Sequence, residues 1–311
     1  MKWEDFRQSD NIDDRRGGGG DDGGFGGGGG GISIPGMGGG GLGIGMIIVL
    51  GIIGMLLGVD PRILIGGAEV LTGGRGGGQV VQQQAQPQRQ RQAGPATDEI
   101  GKFVSAIVAM NEDVWAEILP AQKNIRYAPP TLVMFDGVTR SGCGTAQSAM
   151  GPFYCPLDKK VYLDTSFFSE MKRKFGGGGD FAYAYVIAHE IGHHIENQLG
   201  ILPKVQQAQQ AASSKAEANG LSVRVELMAD CLAGVWAAHA NQKWQVLQEG
   251  DIEKAVRTAQ AIGDDKLQEQ SQGRVVPDSF THGSAAQRVA WFQQGLKTGN
   301  IDACNTFARR S

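Results

Sequence analysis

Apolar positions along the chain fall into two regimes. From Gly23 to Val59 no residue is charged, and the back of that run, "LGIGMIIVLGIIGMLLGV" at 42–59, is apolar without interruption. From Asp98 onward, apolar residues recur with the periods of secondary structure. Ile100, Phe103, Val104, Ile107, Val108, Val114 and Trp115 sit at helical intervals and predict a helix closed by Pro120. "PPTLVMFDG" predicts a short strand, and "AMGPFYCPLDKKVYLD" two strands joined by a Pro-Leu-Asp turn. "TSFFSEMKRKF" predicts a helix capped by Thr165 or Ser166, and nearly everything after Asp180 is helical in pattern. The expected fold class is α+β, mostly helical with a small antiparallel sheet, occupying residues 98–311.

The first hundred residues read differently. Positions 1–22 are polar and charged, with too little apolar surface to offset the entropy of ordering, and with the glycine-rich stretch behind them they predict a disordered tail over 1–41. Residues 42–59 have the length and polarity of one transmembrane helix, since a span needs about 20 apolar residues. A buried core helix would need neighbours that the flanking glycine and glutamine tracts do not supply. A cleaved signal peptide fits poorly, because forty residues precede the run and no small-x-small site follows it closely. Residues 60–97 form a Gly/Gln-rich linker. Lys2, Arg7, Arg15 and Arg16 before the span are matched by Arg62, Arg75, Arg89 and Arg91 after it, so the charge rule leaves orientation undecided.

Composition moves the chemistry to the C-terminal part. Of 49 glycines, 30 precede position 95, whereas all five histidines and all four cysteines follow position 142. A formal net charge of −3 gives no basic footprint, so nucleic acid is not an expected partner. In "FAYAYVIAHEIGHHIENQLG", His189 and His193 stand four apart on one helix face with Glu190 beside them, and Gly200 ends the helix. That is H-E-x-x-H, in which two neutral imidazoles hold Zn²⁺ while the glutamate serves as general base toward water. A catalytic zinc site usually has a third protein ligand. "NGLSVRVELMADCLAGVWAAHA" offers Glu226, with Asp230 one turn on to hold the outer nitrogen of a ligating histidine. His239 and His194 are competing candidates. In "DSFTHGSAAQRVAWFQQGL" a helix capped by Thr281 or Ser284 follows His282 and contains Arg288. His282 could donate to an oxyanion and Arg288 could pair with Asp230 or a neighbouring carboxylate, although a loop histidine and a solvated arginine are the simpler readings of spacing alone.

The start "MKWEDFRQSDNIDDRRG", the glycine-rich span, "SGCGTAQSAMGPFYCPLDKKVYLD", "VIAHEIGHHIENQLG", "VELMADCLAGVWA" and "DSFTHGSAAQRVAWF" together resemble the bacterial neutral zinc metallopeptidase family, an H-E-x-x-H, gluzincin-like group. The later motifs are also similar to membrane zinc endopeptidases of the prenyl-protein processing and heat-shock type. The resemblance implies a zincin-type domain, His189, His193 and Glu226 as zinc ligands, Glu190 as catalytic base, His282 at the oxyanion, and supporting roles for Asp230 and Arg288. With one candidate span instead of several, the intramembrane chamber of those relatives is not carried over. The implied activity is hydrolysis of peptide bonds by a zinc-activated water in a protein or peptide substrate. A tethered binding protein on a protease fold and a zinc amidase of the cell envelope are the alternatives.

Cysteine usage bears on compartment. Cys143 and Cys155 are twelve positions apart around a strand, Cys231 and Cys304 could form a second bridge, and no C-x-x-C metal pattern occurs. An even set of bridgeable cysteines fits an oxidising compartment. The expectation is a single-pass protein of the bacterial inner membrane with a cytoplasmic N-terminus, a periplasmic catalytic domain and membrane lipid around its one span.

Overall fold

The computed structural model of the chain describes residues 1–17, 98–148, 151–175 and 178–308. The expected remainder of the tail at 18–41, the span at 42–59 and the linker at 60–97 lie outside the described residues. Among the described residues, no helix is long and apolar enough to cross a membrane.

The domain opens with α1, Glu99–Lys123, where Asp98 caps the first turn by accepting from the Gly101 N–H at 2.8 Å. Pro120 does not close this helix. It occupies the last turn, and the chain stops at Asn124, whose left-handed backbone (φ 54°) turns its N–H to the Pro120 carbonyl. Strands β2 (Thr131–Phe135), β3 (Val138–Ser141), β4 (Gly144–Gln147), β5 (Phe153–Cys155) and β6 (Lys160–Asp164) follow. Then come α2 (Ser166–Phe175), α3 (Asp180–Gln198), α4 (Ile201–Gln210), α5 (Lys215–Trp244), α6 (Asp251–Ala261), α7 (Asp264–Gln272) and α8 (Ala285–Thr298).

The main sheet is mixed and not antiparallel. With β1 (Ile12–Asp14) its order is β1-β2-β6-β5; β1 and β6 both run parallel to β2, and only β5 and β6 form the expected hairpin. The cause is the β3–β4 hairpin, which pairs antiparallel as a separate small sheet and, with β5, makes the β2–β6 connection long enough to reverse twice.

Residues 1–17 correct the disorder expectation, because they belong to the fold. Trp3 meets Phe103 edge-on at 5.3 Å and its indole N–H donates to Asp180 at 3.0 Å; Phe6 meets Trp244 at 4.7 Å. Each such ring pair is worth about 0.5–1.5 kcal/mol beyond its buried area. Ser9 donates to Glu112 through Oγ and to Ser105 through its N–H, and Arg7 pairs with Asp113 at 2.6 Å. Four scattered apolar residues (Met1, Trp3, Phe6, Ile12) carry no period of their own, so the segment reads as polar until its partners are in place.

The helices position the chemistry through two close approaches. At Gly192 in α3 a β-carbon would stand 3.0 Å from the Ala229 carbonyl oxygen of α5, so glycine lets the two backbones meet between the paired motif residues of each helix. On its far side α5 packs against α8 just as tightly: a β-carbon on Gly295 would lie 1.8 Å from the Cys231 carbonyl oxygen. The Cys231–Cys304 bridge ties α5 to the short 3-10 turn after α8, and Cys143–Cys155 ties the β3–β4 turn to β5.

Candidate metal centre

Helix α3 presents His189 and His193 from successive turns, and α5 presents Glu226 opposite them. His189 Nε2 lies 3.2 Å from Glu226 Oε2 and His193 Nε2 lies 3.6 Å from Glu226 Oε1. One ligand atom from each residue can be chosen so that all three fall within 4.8 Å of one another. The outer nitrogens are held by other carboxylates: His189 Nδ1 donates to Asp230 at 2.9 Å and His193 Nδ1 to Glu196 at 2.8 Å. Fixing Nδ1–H in this way leaves Nε2 of both rings directed at a shared point, which is how ligating imidazoles are oriented around a metal. Two imidazole nitrogens and one carboxylate oxygen are a donor set suited to zinc, and the fourth side opens into a small cavity lined by Glu190 and His282.

Charge is concentrated here out of water. Burial would lower the His189 pKa, but Asp230 and Glu226 overcome it and lift it to about 9; His193 is raised well above its usual value by Glu226 and Glu196 against the same penalty. Glu226, although buried, is held well below the usual carboxylate range by His282, His193 and His189. Burial instead dominates at Glu190, which is pushed up, and at Glu196, pushed up to about 7. A buried carboxylate with a raised pKa is suited to receiving and returning a proton.

Asp230 is the hub behind the ligands. Arg288 from α8 clamps it bidentately, Nε to Oδ2 at 2.8 Å and Nη2 to Oδ1 at 2.9 Å, and the Tyr185 hydroxyl donates to Oδ1 at 2.5 Å. Burial would raise the Asp230 pKa, but Arg288 and His189 overcome it and lower it to about 2. His282 reaches the same cavity on a loop anchored by Asp264, whose Oδ2 accepts the backbone N–H groups of Thr281 and His282 at 2.6 Å each and of Gly283 at 3.1 Å. Its Nδ1 faces Asp264 Oδ1 at 3.2 Å, leaving His282 Nε2 buried without a partner among the described residues. An Asp264→Asn variant is expected to lower kcat about 10- to 100-fold with zinc content and KM little changed, since misplacing a group near the reacting atoms by an ångström costs that much. Steady-state kinetics beside metal analysis check this; an unchanged kcat would show that the loop does not need its anchor.

The other two candidate ligands stand elsewhere. His239 donates through Nε2 to the Gly299 carbonyl, and His194 donates through Nε2 to the Ala128 carbonyl at 2.6 Å while Nδ1 accepts from Tyr154 at 3.0 Å. Burial pushes the His194 pKa down to about 4. Between pH 6.5 and 4 the unfolded chain therefore takes a proton that the folded one refuses, so this contribution is present above pH 6.5 and lost as pH falls. His194→Gln, which keeps a donor for Ala128, should remove up to about 3 kcal/mol of the stability change across that window. Denaturant unfolding at pH 7 and pH 4.5 measures it; equal slopes in both proteins would refute it.

Sequence reasoning missed Glu196, Tyr185 and Asp264. Glu196 stands three after His193 and Tyr185 four before His189, both on the motif's own helix face, so helical spacing could have found them. Nothing local marks Asp264, which acts on a loop 17 to 19 positions away.

The comparisons with known proteins decide what this arrangement is. The model of the family described as "Putative neutral zinc metallopeptidase" matches residues 1–307. The chain belongs to this family. It is similar to the YpfJ protein of Escherichia coli K12, 49% identical over 310 residues that cover 99% of each chain. It is also similar to the Rv2575 protein of Mycobacterium tuberculosis H37Rv, 45% identical over 205 residues that cover 63% of this chain and 66% of that one. No solved structure matches. With His189, His193 and Glu226 assembled as the zinc site, this member is a zinc metalloendopeptidase.

Proposed function

We propose that Glu190 is the general base of peptide hydrolysis and that His282 stabilises the developing oxyanion. Zinc held by His189, His193 and Glu226 would supply Lewis acidity, lowering the pKa of water and polarising the scissile carbonyl. Glu190 takes the proton from the attacking water and returns it to the leaving amine, a shuttle favoured by its raised pKa. His282 Nε2, once protonated, donates to the carbonyl oxygen as charge grows there, and Asp264 holds the ring for that purpose. Asp230, Arg288, Tyr185 and Glu196 keep both ligating rings in one tautomer and orientation.

The substrate in this reading is an extended segment of protein. Strand β5 is an edge of the main sheet, and Gly151 and Pro152 just before it line the cavity beside the metal ligands. An edge strand leading into a catalytic cleft suits a peptide that adds as a further strand, with its carbonyl delivered to Glu190. In the same reading the enzyme is attached to the bacterial inner membrane through 42–59 and works on the oxidising, periplasmic side. The bridges Cys143–Cys155 and Cys231–Cys304 support that side, since such bonds persist in oxidising compartments.

The observation that carries the proposal is the convergence on one cavity of three ligands, a buried, ionisable Glu190 and a His282 Nε2 that has no partner among the described residues. The zinc-loaded full chain should cut an unstructured protein such as casein, lose that activity to a chelator and regain it with zinc. Zinc-loaded protein that cleaves neither casein nor a library of unstructured peptides would turn the assignment toward a binding role or envelope amide bonds.

A further inference from the structure

Residues 1–17 and 98–308 form one folded body, although the apolar run 42–59 lies between them in sequence. Strand β1 extends the main sheet by pairing Ile12, Asp13 and Asp14 with Leu132, Val133 and Met134, and the Arg15 N–H continues the ladder to the Met134 carbonyl at 2.8 Å. Trp3 and Phe6 cover Phe103 and Trp244 of the domain. The two ends of the intervening stretch are held side by side. Arg16 donates through Nη1 and Nη2 to Asp98 Oδ2 and Oδ1, both at 2.9 Å. Arg16 is fixed in turn by Asp14 at 2.7 Å, and Asp98 is the cap of α1. The chain thus departs from the domain and returns to it at one point on its surface.

A chain that leaves and re-enters a rigid body at one point crosses a bilayer an even number of times, zero included. As a helix, the 18 residues of 42–59 would extend about 27 Å at 1.5 Å per residue, close to one hydrocarbon thickness of roughly 30 Å. No second charge-free run of Leu, Ile, Val and Met of that length occurs between 18 and 97. A single crossing would put residues 1–17 and the domain on opposite faces, where β1 could complete the sheet of neither its own domain nor that of another copy. We propose that residues 1–17 and the peptidase domain lie on the same side of the membrane, and that 42–59 attaches the enzyme from that side instead of crossing once. This replaces the cytoplasmic N-terminus expected from one crossing together with the cysteine usage, and it does not depend on the peptidase reading.

Thiol accessibility in the full chain tests it. The four native cysteines are bridged, so a single exposed cysteine reports its own location. Gln8→Cys and, as a second position, Asp10→Cys mark the N-terminal segment; Gln210→Cys on α4 marks the domain, and all three positions are exposed. Bacterial cells expressing each variant are treated with a membrane-impermeant maleimide when intact, after outer-membrane permeabilisation and after lysis, with the parent as background. The expected result is that labelled fractions at positions 8, 10 and 210 rise at the same stage and agree within about twofold. If all three label only after lysis, the same-side proposal stands and the periplasmic placement falls. If Gln210→Cys labels before lysis while both N-terminal cysteines wait for it, the chain crosses once and the proposal is overturned.

Discussion

Glu190→Gln enzyme should hold zinc as the parent does and cleave peptide bonds roughly 10²- to 10⁴-fold more slowly, the range that a positioned general base supplies. The amide keeps the size and much of the polarity of the carboxyl group, so the cavity beside His189 and His193 should persist, but an amide cannot take a proton from water at neutral pH. Glu190 is outside the cluster of three ligands, which is why metal content should not follow activity. Kinetics on casein with parallel zinc analysis separate the two. Loss of zinc together with turnover would make Glu190 a ligand, and retention of full turnover would remove it from the mechanism.

Arg288→Met should be the most destabilising single change at the site, by about 3–5 kcal/mol, because it strands Asp230 in the interior without its bidentate partner. That is a large share of the 5–15 kcal/mol that holds a typical domain together. The Tyr185 hydroxyl and His189 would remain on Asp230, but a single O–H and a single Nδ1–H do not replace the two parallel bonds of the guanidinium. Denaturant unfolding of the zinc-free protein, with disulfides intact, measures the loss. Replacing both partners, Arg288→Met with Asp230→Leu, should restore part of the stability, since the apolar pair needs no compensating charge, while the Tyr185 hydroxyl and the His189 Nδ1–H lose their acceptor. The double variant should still bind zinc about 10- to 100-fold more weakly, because His189 has lost the carboxylate that orients it. If the single change costs less than 1 kcal/mol, Asp230 is not the buried hub described above.

The metal site was legible in the sequence because its chemistry dictates both residue type and spacing. Two imidazoles that share a metal from one helix must project from one face, which a spacing of four provides, and the Glu226 and Asp230 carboxylates amid apolar neighbours needed a reason to be buried. For Arg288 the spacing alone favours a solvated side chain over a pairing with Asp230 or a neighbouring carboxylate, whereas in the structure it pairs with Asp230. What escaped notice depends on partners distant in sequence. Arg7 finds Asp113 and Glu112 across 106 and 105 positions, and Ser9 finds Ser105 across 96. No local period encodes such pairings, so a segment with four scattered apolar residues looked unfoldable. The direction of β2 against β6 was hidden for a related reason: buried strands show the same apolar run whether their neighbours are parallel or antiparallel, and only the path between them decides. Glycine was ambiguous in the same way: the runs before position 95 read as tether, whereas Gly192 and Gly295 mark helix contacts.

The account stands most directly on how zinc is held. X-ray absorption at the zinc edge of the loaded full chain should give one zinc per chain with two histidine nitrogens and oxygen neighbours at about 2.0–2.2 Å. In Glu226→Ala the affinity should collapse, whereas in Glu190→Gln the spectrum should be unchanged. A spectrum dominated by sulfur, or a Glu226→Ala protein that binds zinc as tightly as the parent, would contradict the site assigned to His189, His193 and Glu226.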